Sequence, residues 1–179
     1  SEIEKVARDV EELLKKVEKK NRDMVERVRR LLEKVKRENE ELVRRVEESN
    51  ERLKERVDRS NRDERIRRDV ERIVKESEDL LKESHDIVKK IIEEVDELLK
   101  ESHKRVREII ERIKEMVKDG GERVEELEKT VRKLARDAEK ISEDVERRVR
   151  ELARRLRKIS EEVLRRNKEL VRRVDEEIR

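Results

Sequence analysis

Residues 6–23 read VARDVEELLKKVEKKNRD, and residues 24–41 read MVERVRRLLEKVKRENEE. Laid one above the other, the two stretches share their apolar positions. Val6, Ala7, Val10, Leu13, Leu14 and Val17 return eighteen residues later as Met24, Val25, Val28, Leu31, Leu32 and Val35. A third copy supplies Leu42, Val43, Val46, Ser49, Asn50 and Leu53. Eighteen residues make five turns of an α-helix at 3.6 residues per turn. A seven-residue repeat imposes a left-handed supercoil and an eleven-residue repeat a right-handed one. Their sum, eighteen, cancels the two tendencies and predicts long, nearly straight, untwisted helices. At 100° per residue the apolar positions cover an arc of roughly 120°, the share that each member of a three-helix bundle buries.

The same register runs through the rest of the chain. Val70, Ile73, Val74, Leu80 and Leu81 return at Val88, Ile91, Ile92, Leu98 and Leu99. Leu134 and Ala135 return at Leu152 and Ala153, then at Leu170 and Val171. Only two stretches interrupt it. DRSNRDE, residues 58–64, offers Ser60, Asn61 and Asp63 as helix caps, and KDGGE, residues 118–122, offers Gly120 as a left-handed helix terminator. Ser1 with Glu4 fits a capping box. Helices are therefore expected over about 2–60, 64–118 and 121–179, each about 80–90 Å long. Short connections make consecutive helices antiparallel. The expected fold is all-α: a single domain over 1–179, an up-down-up three-helix bundle.

Composition narrows the function. Charged residues make up 59% of the 179 and the hydrophobic set 31%, with no Phe, Tyr, Trp, Pro, Cys or Gln. Such charge often signals disorder, but Leu, Ile and Val at strict helical spacing, with two glycines in all, argue for long helices. The 54 basic and 51 acidic residues are interspersed, leaving a net charge of +3. No basic block tracks a phosphate backbone and no aromatic platform stacks bases, which argues against nucleic acid. No apolar run approaches bilayer length and no signal-like segment opens the sequence given, so a soluble protein without membrane association is expected.

The polar residues that interrupt the stripe are the informative ones. Asn21 and Asn39 stand where the repeat elsewhere puts Ile3 and Val57, and Ser84 and Ser102 where it puts Ile66. Ser142 and Ser160 share the position of Val124 and Ile178, Asn167 that of Val131 and Val149, Ser77 that of Val95 and Ile113, and Asn50 that of Leu14 and Leu32. Away from the breaks nearly every Ser and Asn falls on a core site, while the outer faces are almost wholly Glu, Lys, Arg and Asp. Antiparallel pairing groups them into three layers: Asn21 with Ser102 and Ser142, Asn39 with Ser84 and Ser160, and Asn50 with Ser77 and Asn167. Buried polar groups cost free energy unless hydrogen-bonded, so complete layers specify helix register and pairing where isolated ones would only destabilise. Asn39→Leu is accordingly expected to leave Ser84 and Ser160 short of a partner. A cavity lined for a polar ligand is the competing reading, weakened because three separate layers do not make one pocket.

KESH occurs twice, placing His85 and His103, the only histidines, beside Ser84 and Ser102. Their register position, shared with Arg67, puts them at the core boundary as members of the polar network. Ser84, His85 and Asp86 spell a catalytic triad, but consecutive helical residues point 100° apart and cannot relay a proton. Eighteen residues of helix, ~27 Å, also separate the two histidines too widely for one metal ion within a chain. A pH-sensing role and a metal bridging two chains remain as alternatives. Met24 and Met116 lie on the apolar stripe as core filler.

The eighteen-residue register, the core Asn and Ser positions, the DGG connection and the missing residue types together resemble de novo designed helical bundles built on parametric backbones with buried hydrogen-bond networks. The resemblance covers all 179 residues. It implies no enzymatic activity, no catalytic, cofactor or metal site, no required partner, and a synthetic protein found in the cytoplasm of an expression host. Two roles then compete: a self-contained scaffold, or a subunit of a designed homo- or hetero-oligomer, with or without a histidine-based pH response. Ile87 and Leu164 bear on the choice. Their repeat-mates are Asp69, Arg105, Glu128 and Glu146, so neither belongs to a second apolar stripe, which favours the monomer.

Overall fold

The computed structural model describes residues 2–60, 63–119 and 123–178, the side chains of Ile3, Ser60 and Ile178 excepted. The protein is an all-α three-helix bundle: α1 runs Glu2–Ser60, α2 Glu64–Asp119 and α3 Val124–Ile178. Glu, Lys, Arg and Leu are all strong helix formers, and no proline interrupts them. Among the described residues six ion pairs link residues four apart along a helix, including Glu26–Arg30, Glu41–Arg45 and Glu162–Arg166. In all six the glutamate lies N-terminal to the arginine, the orientation that favours the helix, by about 0.2–0.5 kcal/mol per pair.

Asp63 opens α2 as the sequence suggests. Its carboxylate Oδ1 accepts from the Arg65 backbone N–H at 3.3 Å, and its carbonyl accepts from Ile66 and Arg67. The start of α3 is a correction. It begins at Val124 rather than residue 121, with the Arg123 carbonyl accepting the first helical bond from Leu127 at 3.0 Å. Arginine is not a capping residue, so nothing in the sequence marked that position. The caps expected of Ser1, Asn61 and Gly120, and the Ser60 side chain, lie outside the described residues.

Contacts divide the chain into two compact units through which all three helices run. Unit 1 comprises Ser1–Leu31 and Glu93–Glu151; unit 2 comprises Leu32–Ile92 and Leu152–Arg179. In unit 1 the core is built from Val6, Val10, Leu14 and Val17 of α1, Val106, Ile110 and Ile113 of α2, and Leu127, Val131, Ala135 and Ala138 of α3. In unit 2 Leu53 and Val57 meet Val70, Ile73, Val74, Leu170 and Val174, while Leu42 and Val46 pack with Val163. Along α1 the buried positions are Val6, Val10, Leu14, Val17 and Asn21; their repeat-mates Met24, Val28, Leu32, Val35 and Asn39 are buried in turn.

Pairing directions follow from the cross-links. In unit 1 Lys20 pairs with Glu139 and Arg27 with Glu146; in unit 2 Glu38 pairs with Arg157 and Arg56 with Asp175. Every one of these partners lies 119 residues along the chain, which makes α1 and α3 parallel within each unit. Pairs between α1 and α2 run the other way, Lys54 with Glu78 and then Asp58 with Arg67 in unit 2, and Glu94 with Arg148 ties α2 to α3 in unit 1. The up-down-up order stands. Within unit 2, the Glu38–Arg157 and Arg56–Asp175 pairs are eighteen residues apart on both helices. The same flank of α1 therefore meets the same flank of α3 after five turns, as untwisted helices require.

Fully burying a valine or leucine contributes about 1.5–3 kcal/mol. Leu152, with no exposed surface, should lose about 2–5 kcal/mol on substitution by alanine. Asp63→Ala, which removes only a cap, should cost about 1 kcal/mol. Denaturant midpoints of the two variants check both figures, and a smaller loss at Leu152 than at Asp63 would contradict this account of the core.

Candidate functional site: the buried polar layers

Among the described residues eight polar side chains are buried: Asn21, Asn39, Asn50, Ser77, Ser84, Ser102, Ser142 and Asn167. Ser160, expected among them, is only half-buried. All lie on the apolar arcs, because the eighteen-residue register carries each to the azimuth of a valine, leucine or isoleucine.

The layer Asn50–Ser77–Asn167, in unit 2, joins all three helices. The Asn167 amide Nδ2 donates to Ser77 Oγ at 2.8 Å and to Asn50 Oδ1 at 3.4 Å. Asn167 is the hub: one amide group, two acceptors, one on each neighbouring helix. In unit 1 the expected layer closes only in part. Ser142 Oγ donates to Asn21 Oδ1 at 3.1 Å, linking α1 to α3. Ser102 instead donates to the Leu99 carbonyl of its own helix at 3.0 Å. A serine hydroxyl on a helix always has a carbonyl of the preceding turn within reach, and here that local acceptor wins.

The layer expected of Asn39, Ser84 and Ser160 does not form. Among the described residues no hydrogen bond joins them, and Asn39 Oδ1 is buried without a partner, as is Asn50 Nδ2. The same residue types at the same register make a bond in one place and none in the other. The half-exposure of Ser160 gives its hydroxyl water in place of the amide.

His85 and His103 are corrected outright. Both are exposed, and among the described residues neither joins a hydrogen bond or ion pair. Ser84 is buried while His85 and Asp86 are exposed, so the Ser-His-Asp triplet diverges from the helix axis as adjacent helical residues must. Among the described residues no group of three His, Cys, Asp or Glu side chains is gathered for a metal ion. Met24 is deep in the core and Met116 half-buried. Leu164 is half-buried against the Leu42–Val46–Val163 cluster, and Ile87 is 39% exposed. No helix of the described residues is long and apolar enough to cross a membrane.

An open groove of about 790 Å³ lies in unit 1, between α2 and α3. Its floor is Ile109, Leu134 and Ile141, and its walls carry both signs, Glu101 and Arg105 opposite Asp137 and Lys140. Among the described residues Ser102 is the one buried polar side chain that lines it, its hydroxyl already given to the Leu99 carbonyl, and one such group does not orient a small molecule.

Composition and spacing did not single out one strong surface interaction. Arg27 grips Glu146 with two parallel bonds, Nε to Oε1 at 2.8 Å and Nη2 to Oε2 at 3.0 Å, and Arg150 adds a third at 3.0 Å. The hydrogen bond from Arg27 holds the Glu146 carboxyl below the usual carboxylate range, against the opposing effect of partial burial. The same bond raises the Arg27 guanidinium. On Arg148, the hydrogen bond to Glu94 acts likewise. The signal that finds the Arg27 pair is the constant 119-residue offset between α1 and α3.

No protein-family model matches the chain, and neither a curated protein nor a solved structure matches it.

The hydrogen-bond inventory reverses the expectation for Asn39. Asn39→Leu removes an orphaned acceptor and should leave stability unchanged or raise it. Asn167→Leu strips the donor from Asn50 and Ser77 and should cost about 1–3 kcal/mol. Chemical denaturation of the two variants decides, and equal losses would contradict the hub role of Asn167.

Glu146 supplies a pH dependence with a definite sign. Its carboxyl is held low in the folded state, so the paired form contributes stability above the unfolded value near 4.3 and loses it as pH falls below that value. Since Arg27 is half-exposed, Glu146→Gln should lower stability near neutrality by less than about 1 kcal/mol. The difference from the parent should vanish at about pH 2, which denaturation series at the two pH values would show.

Proposed function

We propose that the chain is a designed structural scaffold, without enzymatic activity, whose buried polar residues specify how its helices pair. The observation that carries this reading is the Asn50–Ser77–Asn167 layer, in which one amide ties α3 to both other helices inside a largely apolar interior. Three features support it. Residue types are segregated by azimuth, with Asn and Ser inside and Glu, Lys, Arg and Asp outside. The repeat is commensurate with the straight α-helix. Finally, six residue types, including every aromatic, are missing from 179 residues. Selection for catalysis leaves polar side chains converging on a pocket, whereas these point into a packed core at separate levels.

The second reading, a subunit of a designed oligomer, rests on Ile87, the exposed large hydrophobic side chain. One isoleucine is a small footing, since a stable interface needs on the order of 1,000 Å² of complementary surface.

Light scattering of the purified protein tests the choice: a mass of 21.9 kDa supports the scaffold, and a multiple of it supports the subunit. A pH response is tested in the same experiment. His85 and His103 are exposed and unbonded, so the parent and a variant carrying His85→Asn with His103→Asn should show the same helicity and mass at about pH 7.4 and about pH 4.5. Unfolding or reassembly of the parent alone at the lower pH would make the histidines a trigger.

A further inference from the structure

A repeat of eighteen residues creates a difficulty for a protein built to pair its helices one way. Sliding one helix past another by eighteen residues, ~27 Å, returns most valines and leucines to sites of the same azimuth, so the apolar core resists the shift only where side-chain size changes along the repeat, as at Ala138, Leu156 and Val174. Two of the polar layers tell them apart only in part. Asn39, Ser84 and Ser160 are Asn21, Ser102 and Ser142 displaced by one repeat along each helix. In either shifted register of α1 against α3 one Asn–Ser pair survives and the other Asn is stranded: Asn21 meets Ser160 while Asn39 falls at the level of residue 178, an isoleucine, or Asn39 meets Ser142 while Asn21 falls opposite Val124.

Two features do break the repeat. The first is the layer Asn50–Ser77–Asn167, which has no displaced copy. Displaced by one repeat, Asn167 faces Leu32, or Asn50 faces Val149, and a buried amide is set against a hydrocarbon. The second is the flank on which α1 meets α3. Lys20, Glu38 and Arg56 are repeat-mates, as are Glu139, Arg157 and Asp175, and the sign alternates along both sets. In the native register the partners are opposite at each level: Lys20 with Glu139, Glu38 with Arg157, Arg56 with Asp175. The flank also holds Arg27 with Glu146, opposite in sign, and Asp9 at the same offset from Glu128, which is not. Moving α3 so that each α1 residue meets the residue one repeat further on places Lys20 against Arg157, Glu38 against Asp175, Asp9 against Glu146 and Glu2 against Glu139. All four are like-charge pairs, and no opposite pair replaces them. The other direction balances two opposite pairs, Arg27 with Glu128 and Arg45 with Glu146, against two like pairs. There the buried amide of Asn50 against Val149 provides the discrimination.

We infer that the alternating-charge flank of α1 and α3, together with the Asn50–Ser77–Asn167 layer, excludes pairing with a second copy of this chain in a register shifted by eighteen residues. This deepens the scaffold reading and rests on it. Within one closed chain the short connections already hold the helices in place. The danger arises between copies, when helices are exchanged during folding at high concentration. A shifted helix leaves one repeat of apolar surface overhanging, and only a further copy covers it, so the product is an open-ended assembly rather than a closed dimer. Repulsion and unpaired amides set against that product are specificity by exclusion.

The test removes both features while keeping an apolar core and opposite charges at each ion-paired level of the native flank. One full-length variant, termed register-blind, carries Asn50→Leu, Ser77→Val and Asn167→Val, the residues the repeat places at those positions, with Glu38→Arg and Arg157→Glu, which reverses the middle ion pair and removes the alternation. A control carries Asn21→Val, Ser102→Ile and Ser142→Val. Both are refolded from denaturant over a range of protein concentrations, beside the parent. Light scattering gives the mass, and amine cross-linking with mass mapping gives the register. The expected result is that the register-blind variant is helical and, as concentration rises, forms large assemblies whose cross-links are displaced by eighteen residues. Parent and control should show native-register cross-links alone. The inference is overturned if the register-blind variant shows only native-register cross-links, if the control shows displaced ones equally, or if the register-blind variant loses its helicity. A parent of higher mass with native cross-links would defeat the monomeric scaffold reading and leave this one standing, so the two failures are distinguishable.

Discussion

A straight α-helix returns to the same azimuth after five turns, and the organisation of this protein descends from that commensurability. An apolar stripe with an eighteen-residue period stays on one line of a straight helix, so within each unit a helix can meet its neighbours without winding around them. The stripe decides which positions are buried: Val6, Met24 and Leu42 are one site visited three times, as are Val10, Val28 and Val46. It decides the flanks too, since residues just outside the arc recur with the same period and meet the same partner helix each time. The Glu38–Arg157 and Arg56–Asp175 pairs of unit 2 are that recurrence made visible.

Polar groups in such a core are a trade between stability and uniqueness. An interior of valine and leucine at all these sites would bury more apolar surface, and replacing a buried polar set by hydrocarbon of similar shape is often neutral or stabilising. Asn39 carries the cost openly, its carbonyl oxygen buried with nothing to accept from among the described residues. Asn167 recovers it by spending one amide group on two acceptors. What such residues add is discrimination, because an unpaired amide disfavours a wrong register more than it disfavours the right one, where it finds its partners.

Much of this architecture was legible because it depends on period and residue type. The three helices and the core placement of Asn21, Asn39, Asn50, Ser77, Ser84, Ser102, Ser142 and Asn167 follow from period and azimuth, and the helix directions from the short connections. Bond formation did not follow, because it turns on fractions of an ångström and on local competitors that azimuth ignores. Ser102 reaches the Leu99 carbonyl of its own helix before it reaches Asn21, and Ser160 keeps one side in water. The histidines failed for a related reason. About 80° from the centre of the arc is where a side chain either folds inward or extends, and both imidazoles extend. The start of α3 was illegible because Arg123 caps with a backbone carbonyl, for which no residue type is a signature.

The surface charges look redundant when counted as stability. Exposed pairs such as Lys20–Glu139 and Glu38–Arg157 contribute at most about 1 kcal/mol each, and salt screens them. Counted as differences between registers they weigh more. A favourable pair that becomes a like-charge pair changes the comparison twice, once by what is lost and once by what is imposed. The entropy of holding the side chains largely cancels, being similar in both states. Alternation along one flank repeats that double change at successive levels, so weak interactions accumulate where a uniform charge would have been indifferent to a shift of one repeat. The buried layer acts in both directions of slip, and the flank acts mainly in one. A periodic seam makes the core easy to build, and the aperiodic residues on and beside it make one alignment of that core preferable to its near copies.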